Sequence, residues 1–364
     1  MNINKNLLFL IAIIFLTAFT FYSCEDKLDL SKFPITNNGN VNVSDTVYVQ
    51  QQPVWSNFNG PEDVLVGNEP VIYVADTKNN SVVQLDLSGG YIGNYNFGLN
   101  IFPKKISQDG FFDLLVICDS VSTADTISIL YRLKIVTGGG IINNAPKIEL
   151  MLSTIPTPNS SKLRKFTGIT VFNDNSYIVT RRGPEDPYGI DPGNALLKLY
   201  GRDSVSSITI LSGFQSSGNS FYSIENVASI VAVKNSSTDF IISRSTKDTV
   251  TINKVIWFQF NSVNGSYDPK FTSQSEDIVN IKFGGPDKVI QDIGYNVYII
   301  DSYRNHLYKF NSIGRLLIES FGTYGSGENQ FINPKGISHF NKVLYIADTG
   351  NNRIVRYKLS TDIN

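Results

Sequence analysis

Three arginines lie at or next to positions where the repeated pattern of the chain has an aspartate. Arg181 and Arg244 each end an apolar run of a type that ends in aspartate elsewhere in the chain, and Arg182 follows the first of them. A guanidinium group carries hydrogen-bond donors only, so it cannot accept the turn hydrogen bonds that an aspartate accepts. The same fork of donors binds carboxylates and sugar hydroxyls. We therefore predict that Arg181, Arg182 and Arg244 contact a polar ligand, the alternative being local pairing with nearby acids.

Six more side chains are predicted to surround one end of a central channel, because the chain is expected to close into the ring described below. Each stands two residues before the apolar residue that opens a strand, and they are Glu62, Lys104, Thr167, Glu225, Asp287 and Lys335. Their charges nearly alternate in sign. Such a ring suits structural ion pairing or a polar ligand such as a sugar or a peptide, and it argues against a dedicated phosphate or metal cage.

Metal and nucleophile chemistry finds little support in the residue types. The chain has only two histidines, His306 and His339, so a zinc site with three histidine ligands cannot be built. Neither a nucleophile elbow nor a glycine-rich phosphate loop in a βαβ context occurs. We expect no cofactor. A calcium site stays open as an alternative, with oxygen ligands drawn from Glu62, Asp63, Glu225, Asn226 and Asp287.

The elements that would position these residues come from an internal repeat. Three segments can be superimposed directly: residues 72–80, 297–305 and 344–352. Each is an apolar strand that ends in aspartate, followed by a polar turn and a second alternating strand. The aspartates Asp76, Asp301 and Asp348 can accept hydrogen bonds from backbone N–H groups of the following turn, and Asn352 tolerates the left-handed backbone that the turn needs. These four residues are therefore predicted to be structural.

This repeat resembles the NHL family of repeats. The match is carried by residues 321–331, 334–337 and 345–354, and it is highly specific over 321–357, good over 286–320 and 60–96, and faint between 100 and 285. The resemblance implies a β-propeller. Some NHL propellers are zinc-dependent lyases, an activity that two histidines argue against, whereas lactonase-like propellers use calcium.

The number of repeat units follows from two markers. Apolar strands end in a polar residue at Asp76, Asp119, Arg181, Arg244, Asp301 and Asp348, and preceding strands open at Val64, Ile106, Ile169, Val227, Val289 and Ile337. Both markers give six units, and a unit of four short strands cannot bury both of its faces alone. We predict an all-β, six-bladed β-propeller of four-stranded antiparallel blades. The last unit lacks a fourth strand, so residues 46–51 are predicted to supply it and close the ring.

The turns between second and third strands are predicted to share one face of the ring. Three of them are enlarged, at residues 120–126, 182–194 and 245–253. Long loops on a rigid scaffold commonly carry binding residues, although neutral insertion is an equal alternative. The first functional hypothesis is a non-catalytic scaffold that binds a protein, peptide or glycan on this face. The second is an enzyme, either a calcium-assisted hydrolase such as a lactonase or a lyase, at the channel mouth.

The first 23 residues are predicted to be an export signal. Lys5 precedes an apolar run of 15 residues, 7–21, which is short for a segment that must cross roughly 30 Å of hydrocarbon. The run ends at Ser23 and Cys24, which resemble the bacterial lipobox, although Phe21 and Tyr22 are bulkier than its usual residues. The resemblance implies that Cys24 is lipidated and becomes the mature N-terminus, the alternative being an ordinary cleavage site after Ser23.

The mature chain is expected to be tethered to a membrane. Residues 24–45 are polar and Asn-rich, typical of a flexible tether before a propeller at 46–364. Glu25 and Asp26 resemble an acidic export tag, which favours the bacterial outer membrane or cell surface. Cleavage before Cys24 removes Lys5 and no acid, changing the net charge from −1 to −2. This charge gives no reason to expect a nucleic-acid partner, and we expect a monomeric domain. The other cysteine, Cys118, lies in an apolar run and is predicted to be a buried thiol.

Lipidation of Cys24 can be tested by metabolic labelling in a bacterial host. A palmitate analogue should label the wild-type chain and leave Cys24→Ala unlabelled, because the acyl groups require the thiol of the new N-terminus. Equal labelling of the two chains would contradict the prediction.

Overall fold

The described part of the molecule is a ring of β-sheets. The structure, a computed structural model, describes residues 46–363 apart from 124, 155–162, 186–190, 247–250, 252 and 274. Cys24, the predicted export signal and the predicted tether lie outside the described residues. Within the described ranges, no helix is both long and apolar enough to cross a membrane.

The strands follow one another around the ring in the order of the chain. The first, β1 (Tyr48–Trp55), belongs to the last blade. Blade 1 contains β2 (Pro61–Val66), β3 (Val71–Asp76), β4 (Ser81–Asp86) and β5 (Tyr91–Asn96). Blade 2 contains β6 (Ile101–Gln108), β7 (Leu114–Val121), β8 (Thr126–Leu133) and β9 (Lys147–Leu152). Blade 3 contains β10 (Lys165–Val171), β11 (Tyr177–Arg182), β12 (Ala195–Tyr200) and β13 (Ser207–Ile210).

The second half of the ring is less regular. Blade 4 contains β14 (Val227–Ala232), β15 (Phe240–Arg244), β16 (Val255–Asn261) and β17 (Ser266–Pro269). Blade 5 contains β18 (Pro286–Gln291), β19 (Val297–Asp301) and β20 (His306–Phe310), and β21 (Thr323–Tyr324) with β22 (Gln330–Phe331) forms a small parallel pair after it. Blade 6 contains β23 (Gly336–Phe340), β24 (Val343–Asp348) and β25 (Arg353–Leu359). Short helical turns are α1 (Asp277–Asn280) and the 3₁₀ turns Thr77–Asn79, Ile142–Asn144, Thr349–Asn351 and Ser360–Asp362.

Blade 5 completes its sheet with an irregular segment instead of a fourth strand. Its outer edge is covered by residues 316–321, which meet β20 through isolated bridges at Leu316 and Phe321. Leu317 N–H donates to the Lys309 carbonyl at 2.8 Å, and Phe321 N–H donates to the Leu307 carbonyl at 3.0 Å. The prediction of six antiparallel blades is confirmed.

The hydrophobic core is divided among the gaps between blades. Each first strand contacts the first strands of both neighbouring blades, and β23 contacts β2, so the ring is closed. Among the described residues, an apolar cluster fills the gap between each pair of neighbouring blades, including the gap between blade 6 and blade 1. Cys118 is buried with 0% exposure in the first of these clusters, as predicted. Because every sheet is apolar on both faces, no blade is stable without its neighbours.

The two ends of the described chain meet in blade 6. Strand β1 pairs antiparallel with β25, and Tyr48 lies opposite Leu359. The Tyr48 side chain is 6% exposed and packs into the cluster between blades 5 and 6. The prediction that residues 46–51 supply the outer strand of the last blade is confirmed.

The repeated aspartates hold the loop that enters their own blade. Asp76 accepts a hydrogen bond from Asn59 N–H at 2.7 Å, Asp348 accepts one from Ile332 N–H at 2.8 Å, and Asp301 accepts from Gly284 and Gly285 N–H at 2.6 and 2.9 Å. We predicted acceptance from backbone N–H groups of the following turn, which occurs at Arg304 N–H to Asp301 at 3.0 Å. At Asp76 and Asp348 the turn donates through a side-chain amide instead, from Asn79 at 2.8 Å and Asn351 at 2.7 Å.

The turn that follows each aspartate also joins its blade to the next. The hydroxyl of Thr77 donates to the Pro103 carbonyl at 2.7 Å, and that of Thr349 donates to the Pro61 carbonyl at 2.6 Å. Asn352 has left-handed backbone, with φ of 54°, and its side-chain oxygen accepts Gly60 N–H at 2.7 Å. The last blade is therefore bonded to the first through the same turn residues that join blades 1 and 2.

Removal of residues 46–51 should strongly destabilise the ring. The deletion takes away the part of β1 that pairs with β25, including buried Tyr48, and it exposes a sheet edge. We expect the free energy of unfolding to fall by several kcal/mol from a total of roughly 5–15 kcal/mol, measured by urea denaturation of the mature chain. A deletion variant with the wild-type unfolding midpoint would contradict this role of β1.

Candidate functional site

A β-bulge in the first strand of each of blades 1 to 5 defines the predicted channel mouth. Each bulge inserts one residue between two paired positions near the start of the strand, and these residues are Glu62, Lys104, Thr167, Ala228 and Asp287. Lys335 occupies the equivalent position immediately before β23, where its N–H donates to the Ala347 carbonyl at 3.1 Å. Bulges re-aim side chains beside functional sites in many sheets.

The predicted ring was misaligned in blade 4. Val227 pairs with Arg244 and Ile230 pairs with Ile242, so Ile230 corresponds to the strand-opening residues of the other blades. The prediction used Val227 because both positions are apolar, and it was wrong by three residues there. Ala228 therefore holds the ring position, and Glu225 lies in the loop before β14, where its carboxylate accepts Gly218 N–H at 2.8 Å. The strand-end marker in blade 2 was also misplaced, by one residue. Strand pairing shows that Cys118, and not Asp119, is equivalent to Asp76 of blade 1.

Two lysines neutralise the Glu62 carboxylate at the mouth. The Glu62 carboxylate lies 2.7 Å from Lys104 Nζ and 3.3 Å from Lys335 Nζ. Burial raises the pKa of Glu62, but the two lysines outweigh it and hold the pKa below its ordinary value. Glu62 is therefore an anion that joins blades 1, 2 and 6.

A second charged group, centred on Asp63, is buried next to Glu62. Asp63 is 0% exposed, and its carboxylate is 2.8 Å from Lys288 Nζ on blade 5 and 3.0 Å from the backbone N of Ile106 on blade 2. Burial lowers the pKa of the neighbouring Lys105, an effect that Asp63 opposes and Lys288 reinforces. Across the described residues, no three His, Cys, Asp or Glu side chains come together in a way that could hold a metal ion. The carboxylates considered for calcium are instead matched with lysines, a hydroxyl or backbone N–H groups.

Arg181 and Arg244 are buried beneath the enlarged loops, with 1% and 0% exposure. Arg181 forms an ion pair with Asp191 of the loop 182–194 and donates to the Pro192 carbonyl at 2.8 Å. Asp191 also lies 2.5 Å from Arg164, so two buried guanidinium groups hold this one carboxylate. Arg244 donates to the carbonyls of Glu225 at 3.0 Å and Gly218 at 2.8 Å.

At the turn position of blades 3 and 4, the two arginines therefore supply hydrogen-bond donors where the aspartates of other blades supply acceptors. Where aspartate accepts from backbone N–H groups, arginine donates to loop carbonyls and to Asp191. A role of Arg181 and Arg244 as ligand contacts stays a prediction, and these contacts show how they hold the loops in place. Arg182 differs from both because its side chain is exposed.

An open pocket of about 530 Å³ lies on this face, mainly over blades 5 and 6. Three of the predicted ligand residues line it: Arg182, Asp287 and Lys335. The rest of the lining is Ser245, Gly285, Ser302, Tyr303, Asn305, Tyr324, Ile332 and Asn333. Ser302 donates a hydrogen bond to the Asp287 carboxylate. Glu62 and Lys104 adjoin the pocket through the ion pair between Glu62 and Lys335.

Two exposed tyrosines of this pocket were missed in the sequence. Tyr303 is 65% exposed and Tyr324 is 71% exposed. The sequence does carry a signal for Tyr303, because the equivalent turn position holds Lys78 in blade 1 and Gly350 in blade 6. Tyr324 carries none, because the repeat match over residues 321–331 does not indicate that this segment meets the turn that holds Tyr303.

Comparison with known proteins supports the fold. A protein of unknown function from Bacteroides thetaiotaomicron has a TM-score of 0.58 at 10% identity, over 87% of this chain and 76% of that one. A gluconolactonase from Xanthomonas campestris has a TM-score of 0.54 at 11% identity, over 86% of this chain and 97% of that one. The nidogen/laminin complex matches with a TM-score of 0.51 at 11% identity, over 77% of this chain and 86% of that one.

The chain is a six-bladed β-propeller. No protein-family model and no curated protein matches its sequence. At 10–11% identity these structures share the fold of this chain and carry no information about its ligand.

The stabilities of Arg181→Ala and Arg182→Ala test whether the buried Arg181 holds the loop 182–194 in place. Arg181→Ala leaves Asp191 paired with Arg164 but removes the donor to the Asp191 carboxylate and to the Pro192 carbonyl, so it should lower the free energy of unfolding by about 1–3 kcal/mol. Arg182→Ala removes an exposed side chain of the same type and should change it by no more than about 0.5 kcal/mol. Urea denaturation measures both changes. Equal unfolding midpoints for the two variants would contradict a stabilising role of the buried ion pair between Arg181 and Asp191.

Proposed function

We propose that this chain is a cell-envelope lipoprotein whose NHL-type propeller binds a glycan without changing it chemically. In this proposal, residues 1–23 are removed, Cys24 is lipidated, and residues 24–45 tether the monomeric propeller 46–364 to the bacterial outer membrane or cell surface. The observation that carries the choice of ligand is the pair of exposed tyrosines, Tyr303 and Tyr324, in a pocket otherwise lined largely by polar side chains.

The composition of the pocket suits a sugar. The C–H groups on one face of a sugar ring pack against an aromatic ring, while its hydroxyls both donate and accept hydrogen bonds. The pocket supplies donors at Arg182 and Lys335, an acceptor at Asp287, and groups that do both at Asn305 and Asn333. Both tyrosines have few rotatable bonds, so ordering them on a ligand costs little conformational entropy. A peptide or folded protein ligand would use the same surface, and the screen below distinguishes these ligands.

The alternative is an enzyme, and Lys105 is the residue that favours it. A half-buried lysine with a lowered pKa can act as a general base or a nucleophile. It lies beside the Asp63 and Lys288 pair in the channel. Solved structures that resemble this fold include a gluconolactonase as well as a chain of a nidogen/laminin complex, so the fold is compatible with catalysis and with binding.

A glycan array probed with the mature chain tests the proposal, with Cys24→Ala introduced so that the protein is not lipidated. For the glycan with the highest affinity, Tyr303→Ala and Tyr324→Ala should each weaken binding about tenfold, or about 1.4 kcal/mol. Tyr91→Ala is the matched control, because Tyr91 is also 65% exposed and lies on the outer strand β5, outside this pocket. The variants should unfold at the wild-type midpoint.

The same experiment distinguishes the proposal from its alternatives. Binding to a peptide array with no glycan captured would replace the glycan by a peptide ligand. A captured glycan recovered with its original mass supports binding alone, whereas a cleaved or dehydrated product that disappears in Lys105→Met would establish an enzyme. Unchanged affinity in both tyrosine variants would remove this pocket from the site.

A further inference from the structure

The channel has a second pocket at the end opposite the bulge ring. The bulges lie near the beginnings of the first strands, whereas this pocket of about 380 Å³ is lined by residues at or just after their other ends. All six blades contribute to it, for example Val66 from β2, Phe172 after β10 and Gln291 at the end of β18. Its volume lies within the range of small-ligand sites.

The described lining of this second pocket contains a positive charge and no carboxylate. Lys234, which follows β14, is the lysine of the lining, and neither an aspartate nor a glutamate lines the pocket. The nearby carboxylate of Asp292 accepts hydrogen bonds from Tyr298 Oη at 3.0 Å and from the side-chain amide of Asn296 at 2.9 Å, and it is not part of the lining. Burial lowers the pKa of Lys234, an effect that the Asp292 charge opposes. The cationic side chain therefore lacks an acidic partner within the pocket wall.

Gln291 provides an independent sign of a missing acceptor. The residue is 4% exposed, and its side-chain oxygen accepts Lys234 N–H at 2.9 Å. This hydrogen bond fixes the amide, whose Nε2 has no hydrogen-bond partner among the described residues. A buried N–H donor without a partner costs free energy, so native proteins keep few of them and commonly at functional positions. Gln291 thus offers a prepositioned donor beside the Lys234 backbone.

His339 completes the polar part of the wall. Its ring stacks on Tyr298 with a centroid separation of 5.6 Å and an interplanar angle of 14°. Burial lowers the pKa of His339 from its ordinary value of 6.5, an effect that Asp292 opposes, so the imidazole is neutral at neutral pH. A neutral imidazole carries one N–H donor. The remaining wall includes apolar side chains such as Val66 and Phe172.

We propose that this second pocket binds a small organic carboxylate. The carboxylate oxygens would accept hydrogen bonds from the Lys234 ammonium and the Gln291 amide, and the body of the ligand would pack against the apolar wall. A carboxylate fits because both groups donate and one is charged, which gives stronger hydrogen bonds than a neutral acceptor would. The site is distinct from the tyrosine-lined pocket and does not depend on the function proposed for that pocket.

Calorimetric titration of the mature chain with sodium benzoate tests the proposal, with benzamide as the neutral analogue of the same shape. Benzoate should bind saturably and at least tenfold more tightly than benzamide. Lys234→Gln should weaken benzoate binding about tenfold, or about 1.4 kcal/mol. Gln291→Glu should weaken it at least as much, since it keeps the acceptor for Lys234 N–H and replaces the free donor by a like charge. Lys282→Gln removes the same charge from an exposed position outside the pocket and should leave affinity unchanged.

Three outcomes would overturn the proposal. They are the absence of saturable benzoate binding, equal affinities for benzoate and benzamide, and equal effects of Lys234→Gln and Lys282→Gln, which would indicate general attraction to surface charge. If Gln291→Glu does not fold, the comparison of the two lysine variants still decides, because both lysines are exposed and their replacement removes no buried packing.

Discussion

Closure of the ring is the constraint on which the rest of the structure depends. Each blade is a sheet with apolar side chains on both faces, so it is buried only when a neighbour covers each face. The last gap closes because β1, from the beginning of the propeller, forms the outer strand of the last blade. Thr349 and Asn352 then bond this blade to Pro61 and Gly60 of the first. The channel and both of its mouths exist only because these contacts complete the circle.

The turn after the second strand connects neighbouring blades, and it differs between blades 1, 5 and 6 on one hand and blades 3 and 4 on the other. In blades 1, 5 and 6 an aspartate accepts backbone N–H groups, and the turn stays short. In blades 3 and 4 a buried arginine takes the same position and donates to loop carbonyls, which suits longer loops that present acceptors inward. In these two blades, an enlarged loop therefore occurs together with replacement of the aspartate by arginine.

The two ends of the channel offer different chemistry because opposite ends of the same six strands line them. At the bulge end, the Glu62 carboxylate is neutralised by Lys104 and Lys335, and the Asp287 carboxylate is hydrogen-bonded to Ser302. Exposed tyrosines beside that ring favour a neutral, hydroxyl-rich ligand. At the other end the lining has a lysine, a free amide donor and no carboxylate, which favours an anion. One scaffold thus presents two polar surfaces with different preferences.

The sequence by itself determined the fold class, the number of blades and the strand that closes the ring, because these follow from local periodicity and from repeated turn residues such as Asp76, Asp301 and Asp348. It also predicted Arg182, Asp287 and Lys335 as ligand residues; they line one pocket, and their contact with a ligand stays a prediction. It misplaced the ring position in blade 4, where Val227 and Ile230 are both apolar and only strand pairing distinguishes them. Burial of Arg181 and Arg244, the unpartnered amide of Gln291 and the meeting of Tyr303 with Tyr324 were decided by tertiary structure alone. Each of these features depends on contacts between loops and blades that are far apart in the sequence. A local sequence pattern contains no information about such contacts.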